Sequence, residues 1–483
     1  MMTRLFTQIL LTVLGSFVTS NVTAAPPVIS VPGDTIERNA QVSFNGNDLA
    51  GKDGRLRRLG YDLTFIYEEH RNFNMQGGKS VLKRDFRSRL AHAPIKDEMV
   101  TIDTVAAGNV TVLRESLRML GMKNIAESGR TISGRFPISS LSQLAAIPEL
   151  KLARPSYAIT NTGSVTSQGD VAQASDIARA FHGLDGTGVT VGVISDSYNC
   201  LGGAAADLAS NDVPVGVNVL QELTGCLGAS DEGRAMVQIV HDVAPGASQA
   251  FHSAFNGLAD FANGIVELAT VAGADVITDD VIYFAEPMFQ DGEIAQAADT
   301  VNALGVAYFS SAGNQAQQSY QAQFINSGIT GFYTGSVRHD FDASVATDVA
   351  QQVTIPGDTR VTMVLQWDDP YFSVSGAPGA NTDLDLFVYQ ANGTTVAASS
   401  IDNNNGGDPV EILTFTTVSG PAKTYHISIE HFSGPSPGTI KYVHYGGISL
   451  QEHVTSSSTL YGHANAGGAV ALGAARYTQT PAY

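Results

Sequence analysis

Between Thr187 and Ile194 the chain carries an uncharged, largely β-branched run, Thr-Gly-Val-Thr-Val-Gly-Val-Ile, with no alternation of polar and apolar positions. A strand of that kind is buried on both faces, as in a parallel sheet covered by helices on either side. The sequence beyond it keeps the rhythm. Helical spacing over 233–242 leads to a strand over 248–254, a helix over 258–272, a strand over 275–278, a helix over 292–304 and a strand over 306–310. Strands alternating with helices of about 10–15 residues predict a doubly wound parallel α/β sheet. In such a sheet functional groups sit at the carboxyl ends of the strands, where Asp196 and Asn314 fall.

A chain of 483 residues with 43% hydrophobic content is too long for one ordinary domain, and two or three are expected. Residues 1–25 have Arg4, an apolar run from Leu5 to Val18 and a small-residue close at Val22-Thr23-Ala24. That is the layout of a secretory signal peptide, and it predicts a secreted, periplasmic or extracellular protein. The run is shorter than the ~18–20 apolar residues of a transmembrane helix, and no later segment is apolar enough, so no membrane span is expected. In an oxidising compartment Cys200 and Cys226 either close the loop between them or remain two buried thiols.

Net charge is −19, unevenly spread: residues 1–154 balance at +6 and residues 155–483 at −25. An acidic body excludes nucleic acid and anionic membranes as natural partners, since both need a basic surface. The basic amino-terminal part has a complementary partner in its own chain.

Residues 26–98 read as a polar, basic leader, with 83–89 as the densest charged run and a solvated helix face as its simplest reading. From Met99 the order is β-α-β-β-α-β: strand at 99–105, helix at 110–122, a strand pair over 123–136, a short helix at 141–147 and a strand at 150–159. This is the ferredoxin-like arrangement, expected over 99–164. The parallel-sheet domain occupies 165–318. After Gln318 short β runs at 359–366, 384–389, 410–417 and 424–431 are separated by Gly, Asn, Asp and Pro clusters. They predict an antiparallel β-sandwich over 319–455. The α/β pattern resumes at 456–483, with a strand over 469–474, so the sandwich is inserted within the parallel-sheet domain.

Three blocks bear chemistry. Gly188-Val189-Thr190-Val191-Gly192-Val193-Ile194-Ser195-Asp196-Ser197 delivers Asp196 at a strand end. Asp231-Glu232-Gly233-Arg234-Ala235-Met236 opens a helix and runs on to Val243-Ala244-Pro245-Gly246. Ser310-Ser311-Ala312-Gly313-Asn314 closes a strand. The three resemble the Asp, His and oxyanion blocks of subtilases, serine peptidases of the subtilisin/sedolisin superfamily, with Glu232 standing where the family has His. The resemblance implies a subtilisin-like domain, a propeptide over 99–164 and a sandwich inserted between the oxyanion loop and the nucleophile. The fourth block, Gly-Thr-Ser-x-Ala-x-Pro, occurs nowhere before Tyr483. The expectation is an endopeptidase acting on a polypeptide substrate, with the propeptide region as an internal partner. Its serine then lies beyond residue 483 in a longer gene product. The alternative is a non-catalytic secreted pseudopeptidase binding peptide or glycan.

In the catalytic reading Asp196 supports the base, Glu232 is the general base and Asn314 donates to the oxyanion. The residues also allow plainer roles: Asp196 opens a turn, Ser230-Asp231-Glu232 is a good helix start, and Ala-Gly-Asn is an ordinary turn. The resemblance to sedolisins is incomplete, because they draw two carboxylates from one helix, four positions apart, and here that position is Met236. His241, His252 and His463 are expected to be structural. Asp279, Asp280, Glu286 and Asp291 come after a strand and suit binding of basic side chains, sharing a proton with Glu232, or holding a cation. No cofactor is required, but Asn381-Thr382-Asp383-Leu384-Asp385 and Asp402-Asn403-Asn404-Asn405 supply oxygen ligands suited to Ca²⁺.

Overall fold

The computed structural model describes residues 35–49, 51–79, 85–90, 94–160, 167–342, 344 and 346–479. The expected signal peptide, residues 1–25, lies outside them, as does part of the basic run at 83–89.

The amino-terminal region is a folded unit rather than a polar leader. Helices α1 (Thr35–Asn45) and α2 (Gly60–Met75) precede a sheet built from β1 (Met99–Ala106), α3 (Val110–Met119), β2 (Lys123–Ser128), β3 (Thr131–Pro137), α4 (Leu141–Leu144) and β4 (Leu150–Pro155). Strand order is β2-β3-β1-β4 with every pair antiparallel, the ferredoxin-like order. Val100, Ile102, Ile132 and Phe136 point to one face, where Leu113, Leu117, Leu141 and Leu144 cover them. Leu63, Ile66 and Phe73 of α2 join that core, at i, i+3 and i+10 on one helical face. Where the charged run is described, at 85–90, it is not helical. Phe86 is buried edge-on against His70, and Ser88 and Arg89 bond Glu69 of α2.

The opposite face of this sheet is polar and buried, because it meets the start of a helix in the body. Asp103 and Ser133 are cross-strand partners. The Ser133 hydroxyl donates to Asp103 at 2.6 Å. They in turn accept the first amides of that helix, Leu258 N–H on Asp103 at 3.2 Å and Ala259 N–H on Ser133 at 3.0 Å. Gly257 just before the helix has φ +122°, and a Cβ there would lie 2.4 Å from Ser133 Cβ. Only glycine permits that backbone and that approach together. The chain then passes through β5 (Ala158–Thr160) into the body.

The body is a six-stranded parallel sheet. Its elements are β6 (Thr190–Ser195), β7 (Asn218–Gln221), α5 (Glu232–Val243), β8 (Ser248–Ser253), α6 (Leu258–Thr270), β9 (Val276–Asp279), a short strand β10 (Val281–Tyr283), α7 (Glu293–Ala303) and β11 (Ala307–Ser311). The sheet is completed by the strand Ala469–Leu472, beside β11, and the order from there is β11-β9-β6-β8-β7. Successive residues of β6 face opposite layers: Ile194 packs with α6 and α7, Val193 with Val237 of α5 and Phe251 of β8. That two-sided burial is why the run from Thr187 to Ile194 carries no polar face.

Between Ser311 and Ala469 the chain builds two antiparallel sheets. One contains Ser319–Gln323, Thr439–Tyr445, Arg360–Trp367 and Val410–Thr416; the other is centred on Lys423–Ser433, paired with Asp383–Gln390. Their shared core holds Met363, Trp367, Leu384, Leu386, Ile427 and Tyr442. Cys200 and Cys226 form a disulfide that closes the segment between β6 and α5, which settles the choice left open by the sequence.

Candidate active site

Three strand ends converge because the strands are parallel and in register: Ile194, Asp279 and Ser310 stand opposite one another on β6, β9 and β11. The loops leaving these three strands meet on the same edge of the sheet.

Beyond β6, Asp196 is 2% exposed. Its carboxylate accepts four hydrogen bonds, from the amides of Ser197 (2.5 Å), Ser230 (2.5 Å) and Glu232 (3.0 Å) and from the Ser230 hydroxyl (2.8 Å). The Ser230 and Glu232 amides belong to the start of α5, so Asp196 is an acid at the positive end of a helix. Asp231, in the left-handed region at φ 57°, is held by the Ser197 hydroxyl at 3.0 Å and by Arg234.

Glu232 opens α5 and is 8% exposed. Its carboxyl accepts the hydroxyl of Ser195, and Asp280, just beyond β9, lies near enough for its charge to act on it. Burial first, then the charges of Asp280 and Asp196, push Glu232 up to about 8, against the opposing pull of Ser195. The group that orients the Glu232 carboxyl is thus Ser195. Asp196 holds the backbone of Glu232, a different contact from the one expected of it.

Asn314 lies just after β11 and is exposed, its amide donating to Gln315 Oε1 at 3.0 Å. Next to it Ala312 and Gly313 line a small cleft with Val281, Ile282 and Tyr461.

The expected acid cluster divides. Asp279 and Glu286 are taken up by His463: Nε2 lies 3.1 Å from Asp279 and Nδ1 2.8 Å from Glu286, whose carboxylate also accepts the His463 amide at 2.7 Å. Burial alone would lower the imidazole; the two carboxylates override it and hold it up at about 10. The charged ring pins the segment returning from the sandwich to the parallel sheet. His252 is the reverse case, depressed to about 4 by burial, with Nδ1 at 2.8 Å from the Ser253 carbonyl. His241 is buried too. Asp291 is exposed, which leaves Asp280 as the member that faces Glu232. Sequence reasoning named Asp280 within the cluster, but only strand order distinguishes it from its neighbours.

The site has a neighbour of its own chain. β5 pairs antiparallel with β10, Thr160 opposite Val281 and Ala158 opposite Tyr283, so an extended segment lies along the strand that begins one residue after Asp280.

Two places hold groups with metal-ligand chemistry. In the sandwich, Asp348, Glu452 and His453 bring their ligand atoms within 4.8 Å of one another, all half-buried. The Asp383–Asp385 pair is filled instead by the ammonium of Lys52, at 2.9 and 2.7 Å.

No family model matches the chain, and no curated protein matches it. Among solved structures it is similar to the CspB protease of Clostridium perfringens, at 10% identity and a TM-score of 0.33, over 65% of this chain and 74% of that one. It is also similar to the epidermin leader peptide processing serine protease EpiP of Staphylococcus aureus, at 14% identity and a TM-score of 0.28, over 46% of this chain and 61% of that one.

Proposed function

We propose that this is an exported peptidase of the serine type, in which Glu232 is the proton-transfer group, Asp280 the charge beside it, Asn314 the oxyanion donor and Asp196 the anchor that fixes α5. The observation that carries the reading is the pairing of β5 with β10. It places extended peptide backbone along an edge that runs directly into the Glu232–Asp280 pair, and main-chain pairing is how a groove holds a polypeptide regardless of its side chains. Residues 99–160 then act as a propeptide that occupies its own groove. A carboxyl held up at about 8 suits transfer of a proton near neutral pH, where an ordinary carboxylate is too weak a base.

This reading requires a nucleophilic serine, and residues 1–483 do not contain the Gly-Thr-Ser-x-Ala-x-Pro block that would carry it. The hydroxyl bonded to Glu232 belongs to Ser195, which is fully buried on β6 and cannot reach a substrate. That same fact favours the second reading, a pseudopeptidase that binds peptide without cleaving it. The two separate in one experiment. The product of the complete gene is incubated with a fluorophosphonate probe and with a quenched-fluorescence peptide library, beside its Glu232→Gln variant. Labelling and cleavage that vanish in the variant support the peptidase; binding of peptides without labelling or cleavage supports the pseudopeptidase.

A further inference from the structure

Lys52 is a charged residue with almost no exposure, 4%, on the loop between α1 and α2. It reaches out of the amino-terminal unit into the sandwich. Its Nζ donates to Asp383 Oδ1 at 2.9 Å, Asp385 Oδ1 at 2.7 Å and the backbone carbonyl of Asp402 at 2.5 Å. Asp383 and Asp385 are both fully buried. Three oxygens from two separate segments therefore converge on one cation, the first two at the ~2.7–2.9 Å of charge-assisted hydrogen bonds.

More oxygen is present than one ammonium can use. Asp383 Oδ2, Asp385 Oδ2, Glu411 Oε1 and Asn404 Oδ1 are buried with no hydrogen-bond partner. Glu411 sits against the same loop, its other oxygen accepting the amide of Asp402 at 3.2 Å. An ammonium has three donors, all engaged here, and cannot satisfy these atoms. A hard divalent cation takes six to eight oxygens, often with carboxylates in bidentate mode, and would use the orphaned partners of the two aspartates.

We propose that Lys52 stands in for a divalent cation, and that Ca²⁺ and the amino-terminal unit are alternative occupants of one site formed by Asp383, Asp385 and the Asp402 carbonyl. With the lysine in place Asp383 and Asp385 take their counter-ion from their own chain. When the amino-terminal unit leaves, buried carboxylates lose their counter-ion, and Ca²⁺ from the surroundings replaces it. The site then couples the metal to release of the amino-terminal unit, since whatever binds only the vacated form draws the equilibrium toward it. This does not depend on whether the protein cleaves peptides.

The test uses the full chain and Tb³⁺ as a luminescent calcium substitute, with Ca²⁺ as competitor. Lys52→Ala should bind one Tb³⁺ that Ca²⁺ displaces, and its Tm should rise as Ca²⁺ is added. The wild-type chain, in which the metal must first displace the lysine, should bind at least ten-fold more weakly than Lys52→Ala, and so should Lys52→Ala/Asp385→Asn. Lys52→Gln, which keeps a polar donor in place, is titrated in parallel and should behave as Lys52→Ala. Equal Tb³⁺ binding by wild type and both variants, or variants that bind none, overturns the proposal. So do variants that remain unfolded at every Ca²⁺ concentration, because the metal then does not replace the ammonium.

Discussion

The buried carboxyl of Glu232 accepts the hydroxyl of Ser195 and feels the negative charge of Asp280 at the adjoining strand end. This arrangement sets how stability and any reaction at the site depend on pH.

The folded state binds the Glu232 proton more tightly than the unfolded chain, since its carboxyl moves from 4.5 to about 8. The stability it contributes is therefore complete below pH about 4.5 and is lost as pH rises to about 8. Glu232→Gln cannot ionise. Its Tm should fall less steeply than that of wild type over that window, measured by calorimetry at matched ionic strength. Parallel Tm curves would place the proton elsewhere.

Asp196 should matter more to folding than Glu232 does. Asp196→Ala leaves the amides of Ser197, Ser230 and Glu232 without their acceptor, at ~1–3 kcal/mol for each buried amide. Urea titration should show a loss of about 3 kcal/mol or more; a loss below about 1 kcal/mol would mean that water replaces the carboxylate.

The disulfide should act on the unfolded chain. Cys200→Ser/Cys226→Ser opens a loop with a sequence separation of 26, and the loop-entropy estimate is a loss of about 3–4 kcal/mol. Denaturation of the double variant beside the reduced wild type measures it, and a change under about 1 kcal/mol would show that α5 and β7 hold the segment without it.

The amino-terminal unit is held to α6 by Asp103 and Ser133, so Gly257→Ala should loosen that contact. The new methyl meets Ser133 Cβ at 2.4 Å in a backbone with φ +122°. The connection between the two units should become accessible to a non-specific protease at least several-fold faster than in wild type. Unchanged proteolysis would show that the sheet shifts to absorb the methyl.

The elements legible in the sequence were those whose pattern has one explanation. Val191, Val193 and Ile194 lie in a strand buried on both faces, and that strand and four of the sandwich came out near their observed bounds, whereas Gln351–Ile355 and the central Thr439–Tyr445 did not. The start of α5 at Glu232 was legible from its oxygen-bearing residues. The amino-terminal helices were not. Leu63, Ile66 and Phe73 have helical spacing, but Arg55, Arg57, Arg58, Glu68 and Glu69 around them gave the segment a solvated character. The charge difference between the two parts of the chain did point to a contact, which the structure makes through Lys52 on Asp383 and Asp385 and Arg154 on Asp408. The pairing of Glu232 with Asp280 was not separable from its neighbours, because β9 and β6 become adjacent only through strand order. The double role of Asp383 and Asp385 was hidden for the same reason: their partner is 331 positions away from Asp383.

The central claim is that Glu232 is the group whose ionisation controls the site and that the charge of Asp280 adds to burial in raising where it ionises. The most direct measurement is the pH dependence of kcat/KM for a peptide substrate, with the complete gene product, its Asp280→Asn variant and its Glu232→Gln variant. The account predicts a rise through about 8 in wild type, a rise displaced to lower pH in Asp280→Asn because a neighbouring negative charge is gone, and turnover lower by orders of magnitude in Glu232→Gln. A folded Glu232→Gln protein that retains most of its activity, or an Asp280→Asn profile that does not move, would contradict it.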